Sequence, residues 1–222
     1  AQPSLAHSNY PGWGEHVLCL WEQHYIQERS TPFLRRLFRS LNMANQALRM
    51  PGARDVNIYD VGRTIALWVS AFEILAHPGK PIGYDTSNQV SRGQVLQELK
   101  KCSWKSEKLT SKSYDVLINR KSHKGTLPQK IYSAIYEARN KFLHGNPVSH
   151  QDLKYPESGK SLFFYAPLLY SAFLTRYISL NSFSKKTTED QSSYRWIFGY
   201  GGQMRDIEEG LKMIDIIDEK ER

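Results

Sequence analysis

The chain has 222 residues, 40% of them hydrophobic, and its 30 Lys and Arg exceed its 22 Asp and Glu to give a net charge of +8. This composition excludes a disordered polypeptide and indicates a globular protein. The positive charge favours a polyanionic partner, nucleic acid first, although many basic domains use such charge only to stay soluble. No stretch approaches the roughly 18 apolar residues of a membrane span, and the start lacks the pattern of a signal peptide. With only Cys19 and Cys102, far apart in sequence, we expect a reduced, cytoplasmic protein without membrane contact.

The apolar spacing predicts helices throughout. The second of them begins with the cap signal Ser30-Thr31-Pro32 and leaves Arg35, Arg36 and Arg39 facing outward. No alternating strand pattern is present, so the expected fold class is all-α, a bundle of six or seven helices in a single domain over 1–222. Seven expected helices cover 14–29, 32–50, 56–77, 90–101, one opened by Pro128, 161–180 and 205–221, and a weaker signal indicates a short helix within 114–119.

Two parts of this plan lie outside the central bundle. An N-terminal helical extension covers about 14–50, and an acidic amphipathic helix covers about 205–221. Seven Asp or Glu between residues 206 and 221 suit that helix for packing on a basic surface of the same chain or of another. Whether the chain is complete or part of a longer protein with further domains stays open.

The familiar nucleotide and hydrolase motifs GxxxxGK[ST], GxGxxG and GxSxG are missing from the sequence. His16, Cys19 and His24 have a spacing that suggests metal ligands, but His24 falls off the helical face that the other two share. A zinc site also requires a fourth ligand or a water. We therefore expect no metal and no cofactor.

Residues 100–124 are strongly basic and contain two aromatic residues, Trp104 and Tyr114. Cations with interleaved aromatics suit the phosphates and stacked bases of RNA. The alternative is a solvated face whose aromatics anchor the segment to the core, and the sequence favours neither. The candidate RNA-binding residues are Lys100, Lys101, Lys105, Lys108, Lys112, Arg120, Lys121 and Lys124.

The stretch YEARNKFLHGNPV at 136–148 places Arg139, Asn140 and His144 near a helix stop signal. An arginine can hold a phosphate and a histidine can exchange protons near neutral pH, which together suffice for metal-free cleavage of RNA. On a straight helix Arg139 and His144 point roughly 140° apart, whereas Asn140 and His144 share a face. Either the helix ends near Leu143 and His144 turns towards Arg139, or two chains build one site.

This stretch, with Arg139, Asn140 and His144 in the order Arg-Asn-x3-His, resembles the signature of the HEPN superfamily, the higher eukaryotes and prokaryotes nucleotide-binding domain. The segment ALWVSAFEILAH at 66–77, with Glu73 at its centre, is similar to a helix of the abortive-infection type of HEPN domain. The resemblance covers about 56–180. It implies a helical bundle that dimerises with both motifs across a shared cleft, and metal-independent endoribonuclease activity in a prokaryotic defence or toxin system.

Residue by residue, the resemblance implies that Arg139 binds and polarises the scissile phosphate and that His144 acts as acid or base. Asn140 would position the histidine or the phosphate, and Glu73 would orient Arg139. A capping or packing role in its helix is nearly as good an account of Glu73. Inactive relatives imply the alternative function, a non-catalytic HEPN module that binds RNA, a nucleotide or a protein partner.

Overall fold

A computed structural model describes residues 11–49, 57–77, 90–102, 104, 106–118 and 121–182. Over these residues the chain is mostly helical, as the sequence predicts. The expected helix at 205–221 lies outside the described residues. Among the helices that the structure does describe, none has the length and apolar character needed to cross a membrane.

The elements are numbered in chain order. Helix α1 is followed directly by a short π-helical turn over Glu22–Ile26, and a 3₁₀ turn, Gln151–Leu153, precedes the last described helix. The bounds are α1 Pro11–Trp21, α2 Pro32–Leu48, α3 Ile58–Ala76, α4 Arg92–Lys100, α5 Lys108–Ser111, β1 Tyr114–Ile118, β2 Lys121–Gly125, α6 Leu127–Leu143 and α7 Leu162–Ser182.

Helix starts follow the capping residues of the sequence. The Thr31 hydroxyl accepts a hydrogen bond from the Leu34 amide at 3.2 Å, and Pro32 occupies the first helical position, where its missing N–H costs nothing. At the start of α3, Asn57 and Asp60 form a capping box. These local signals explain why α2 and α3 begin within two residues of the predicted positions.

Helix α7 lies at the centre of the core, as its apolar sequence predicts. Phe173 on α7 packs edge-on against Phe72 of α3, and Phe72 also contacts the rings of Tyr132 and Tyr170. The buried Ser40 hydroxyl links α2 to this core through the Ala71 carbonyl and the Tyr170 hydroxyl, both at 2.7 Å. Helices α2, α3, α6 and α7 are therefore held around one set of aromatic residues.

The prediction of a short helix within 114–119 is wrong, as is the expectation of a chain without strands. Residues Tyr114–Ile118 pair antiparallel with Lys121–Gly125. Only Val116 of β1 is buried, and a Cβ on Gly125 would lie 2.7 Å from Val116 Cγ2, so the glycine allows close pairing. The strands are five residues long and β2 is almost entirely polar, which leaves too little alternation to recognise.

Arg36 also departs from the prediction, because it does not face outward. Its Nε donates to the Tyr177 hydroxyl at 3.1 Å, and its Nη1 donates to the His77 carbonyl at 3.2 Å. The guanidinium therefore ties α2 to α7 and to the end of α3. Arg35 and Arg39 remain exposed, as expected.

Candidate functional site

Helix α6 ends at Leu143, as the sequence predicts, and His144 is its C-terminal cap. Gly145 has a φ of +69°, in the left-handed region that glycine adopts without steric cost. The Asn146 amide bonds to the Lys141 carbonyl at 2.9 Å and the Gly145 amide to the Phe142 carbonyl at 3.1 Å. These two bonds form a Schellman motif, so the chain turns away from the helix at Gly145.

His144 itself still belongs to the last helical turn. Its amide bonds to the Asn140 carbonyl at 3.0 Å, the ordinary helical pairing. Asn140 and His144 therefore keep the same helix face, and the His144 side chain is exposed. The change of chain direction comes after His144, at Gly145, so the backbone of His144 continues the helical turn that carries Asn140.

The Arg139 side chain is half-buried and bends towards that face. Its Nη1 donates to the Asn140 Oδ1 at 3.1 Å, and its Cζ lies 5.5 Å from the centre of the Tyr136 ring. The Arg92 guanidinium stands at 5.3 Å from the same ring and bonds to Glu137 and Ser133. Tyr136 thus holds two cations, and Asn140 connects the Arg139 guanidinium to the face that carries His144.

Glu73 approaches Arg139 from α3 and is partly buried. Burial raises the pKa of the Glu73 carboxyl, and the nearby Arg139 charge opposes that shift. No direct ion pair between the two groups is found among the described residues. Glu73 can therefore influence Arg139 electrostatically without a direct ion pair.

A cleft of about 500 Å³ opens between α2, α3 and α6 and contains both Arg139 and Glu73. Its size falls within the range of small-ligand sites, roughly 300–1,000 Å³. His144 and Asn140 are not among its described lining residues. The lining residues are Arg39, Met43, Ser70, Glu73, Ile74, His77, Val90, Tyr136 and Arg139.

Sequence reasoning misses two participants of this site, Arg39 and Tyr136. The sequence identifies Arg39 only as an outward residue of α2, since nothing in a single sequence says which helices will be neighbours. Tyr136 stands three residues before Arg139, on the same side of α6. That spacing is a usable signal, because aromatic and cationic side chains one helical turn apart are in reach of each other.

The basic segment is less available to RNA than its sequence suggests. Lys101 pairs with Glu98 at 2.6 Å and Lys124 pairs with Asp115 at 2.9 Å. The pKa of the Asp115 carboxyl is lowered, and the largest cause is the hydrogen bond that it accepts from Lys124. Lys105 and Arg120 lie outside the described residues. The other predicted lysines are exposed, namely Lys100, Lys108, Lys112 and Lys121.

The two aromatic residues of that segment serve as anchors. Trp104 Nε1 donates to the Leu99 carbonyl at 3.1 Å, and both Trp104 and Tyr114 are partly buried against the core. Their rings are consequently poor platforms for stacked bases. The observation favours the second of the two alternatives, a segment held to the core by its aromatics, although its exposed lysines still face solvent.

Metal and thiol chemistry find little support in the described part of the chain. No group of three His, Cys, Asp or Glu is placed there to hold a metal ion. His24 stacks on Phe38 at 5.3 Å, and Cys19 accepts a hydrogen bond from Gln23 at 3.6 Å. Burial raises the pKa of the Cys102 thiol to about 12, which keeps it protonated and unreactive.

No protein-family model, curated protein or solved structure matches this chain. The HEPN resemblance therefore depends on the motif residues themselves and on how the fold arranges them.

Proposed function

We propose that the chain is a metal-independent endoribonuclease of HEPN type. The observation that carries the proposal is the hydrogen bond from Arg139 to Asn140, which shares a helix face with the exposed His144. This bond directs the phosphate-binding Arg139 towards the face that carries the proton-exchanging His144. Arg139, Asn140 and His144 then form one surface at the end of α6. Glu73 acts behind that surface on the charge of Arg139.

In the proposed reaction the 2′-oxygen of a ribose forms a bond to the adjacent phosphorus while the bond to the next nucleotide's 5′-oxygen breaks. The 2′-hydroxyl gives up its proton and the leaving 5′-oxygen gains one, so the products are a 2′,3′-cyclic phosphate and a 5′-hydroxyl. Arg139 stabilises the negative charge that builds on the phosphate oxygens. His144 exchanges the proton with one of the two oxygens.

Two copies of the chain would complete this site. His144 is not among the described residues that line the Arg139 cleft, so in this proposal the motif surface of a second copy closes over the cleft. Large apolar side chains near the motif suit such an association: Leu143 is 51% exposed and Tyr59 is 74% exposed. Tyr59 stands one turn before Gly62, the α3 residue against which the Phe142 ring packs. A homodimer around this apolar surface would place the two motifs side by side.

The test is cleavage of single-stranded RNA in the presence of EDTA by the wild type, His144→Ala and His150→Ala. His150 is an exposed histidine six residues further on, outside the motif, and is the matched control. We expect His144→Ala to lose at least about a hundredfold in rate, the usual scale for a general acid or base, and His150→Ala to cut normally. Cleavage that survives in His144→Ala would refute the assignment.

Mixing Arg139→Ala with His144→Ala examines the two-chain arrangement. If one site takes its groups from both copies, the mixture recovers a fraction of the wild-type rate although each variant alone is inactive. A mixture that stays inactive would place both groups of each site in one chain.

The second candidate function is a non-catalytic HEPN module that binds RNA, a nucleotide or a protein partner. It is favoured by the separation of His144 from the cleft that contains Arg139 and Glu73. A wild type that binds RNA without cutting it, with affinity unchanged in His144→Ala, would support this candidate over the nuclease.

A further inference from the structure

Arg39 is an exposed cation of α2, in the N-terminal extension that the HEPN resemblance does not cover. It lines the same cleft as Arg139, which comes from α6. Within the described part of the chain Arg39 has no carboxylate partner. The extension thus supplies a second guanidinium to the cleft that contains the proposed catalytic arginine.

The neighbouring arginines of α2 are occupied differently. Arg36 is bound to Tyr177 and to the His77 carbonyl, and Arg35 Nη1 reaches the Ser30 hydroxyl at 3.5 Å, outside the cleft. Arg39 alone of these three faces the cleft.

Among the described residues that line the cleft, no second carboxylate compensates the charge of Arg39. Glu73 is the one carboxylate among the described lining residues, and it already interacts with the charge of Arg139. Two arginines thus face one carboxylate among the described lining residues. By contrast, Lys101 and Lys124 of the basic segment are neutralised by Glu98 and Asp115.

We infer that Arg39 binds the phosphate of a nucleotide flanking the one that Arg139 holds, so that the cleft seats the RNA strand beside the cleavage point. This inference rests on the proposed nuclease function and names a further binding residue for its substrate. The apolar lining from Met43, Ile74 and Val90 borders the strand without competing for the phosphate. The Arg39 guanidinium, with its fork of N–H donors, is well matched to a phosphate diester.

The test uses the full chain and a 2′-O-methyl RNA oligonucleotide, which cannot undergo 2′-hydroxyl attack. Fluorescence anisotropy gives the dissociation constant across a series of salt concentrations for the wild type, Arg39→Gln, Arg39→Lys and Arg35→Gln. Removing one cation that neutralises a phosphate of a single strand lowers the slope of log K against log salt by about 0.7. Arg35→Gln removes the same charge one turn earlier on α2 and is the matched control.

We expect Arg39→Gln to bind about five- to tenfold more weakly at low salt, with the slope reduced by about 0.7. Arg39→Lys should restore most of the slope and Arg35→Gln should leave it unchanged. A slope in Arg39→Gln equal to that of Arg35→Gln overturns the inference while the nuclease proposal stands. A wild type that neither binds nor cuts RNA would refute both the inference about Arg39 and the nuclease proposal. Circular dichroism melts confirm that each exposed substitution leaves the fold intact.

Discussion

The packing of Phe142 on Gly62 gives a sharp prediction, because Phe142 belongs to the motif and Gly62 to the facing helix α3. A Cβ built on Gly62 would clash with the edge of the Phe142 ring. Gly62→Ala must therefore push the ring, and with it the last turn of α6, away from α3. Overpacking of this kind typically costs about 1–3 kcal/mol, so we expect a loss of about 2 kcal/mol in the free energy of unfolding.

A double-mutant cycle isolates this steric conflict. Phe142→Ala alone should cost about 2 kcal/mol, less than a fully buried phenylalanine because the ring is half-buried. In the double variant the methyl group at position 62 occupies space that the ring has vacated. The double variant should therefore lose about 2 kcal/mol in the free energy of unfolding, whereas additive single effects would give about 4 kcal/mol. The non-additivity, about 2 kcal/mol, measures the conflict between methyl and ring.

The assay is urea denaturation of the wild type, both single variants and the double variant, with Gly93→Ala as control. A Cβ at Gly93 would lie 3.4 Å from Ile118 Cγ2, an ordinary contact, so this helical Gly→Ala change should stabilise by roughly 0.5–1 kcal/mol. Additive costs in the cycle, or a neutral Gly62→Ala, would refute the reasoning about the packing of α3 on α6.

Two further predictions concern the groups around the motif. Gly145→Ala should lower the free energy of unfolding by about 1 kcal/mol, because its φ of +69° strains any side chain, and it should also reduce RNA cleavage by shifting His144. Gly159→Ala, at a φ of +64° away from the motif, should show the same stability loss in urea with normal cleavage. Burial raises the pKa of the Glu73 carboxyl in the folded protein, and the Arg139 charge opposes this shift. The protonated carboxyl therefore stabilises the fold at a pH below the unfolded-state pKa, and this stabilisation is lost as the pH rises through the folded-state pKa. Glu73→Gln should therefore gain more stability relative to the wild type at about pH 7 than at about pH 4, and an equal difference at both would contradict the burial of Glu73.

Much of the helical framework could be predicted because its signals are local. The Thr31-Pro32 cap, the Pro128 start and the Gly145 stop act within one turn of chain, and the structure places helix ends beside each of them. The hairpin escaped prediction because pairing of β1 with β2 depends on burial of Val116 against the rest of the fold. The polar sequence of β2 does not indicate that its partner strand is buried.

The candidate site divides in the same way. Arg139, Asn140 and His144 are neighbours in sequence, so their relation follows from helix geometry, including the shared face of Asn140 and His144. Arg39 reaches the cleft only because α2 packs beside α3, which brings distant parts of the chain together. Residues that tertiary packing makes neighbours leave no pattern in a single sequence.

The central claim is that Arg139 and His144 cut RNA without a metal, and the ends of the product strands test it most directly. Wild-type protein treated with EDTA should release fragments that mass spectrometry identifies as ending in 2′,3′-cyclic phosphate and beginning with a 5′-hydroxyl, and His144→Ala should release none. Fragments with 3′-hydroxyl and 5′-phosphate ends, or cleavage that EDTA abolishes, would contradict the account.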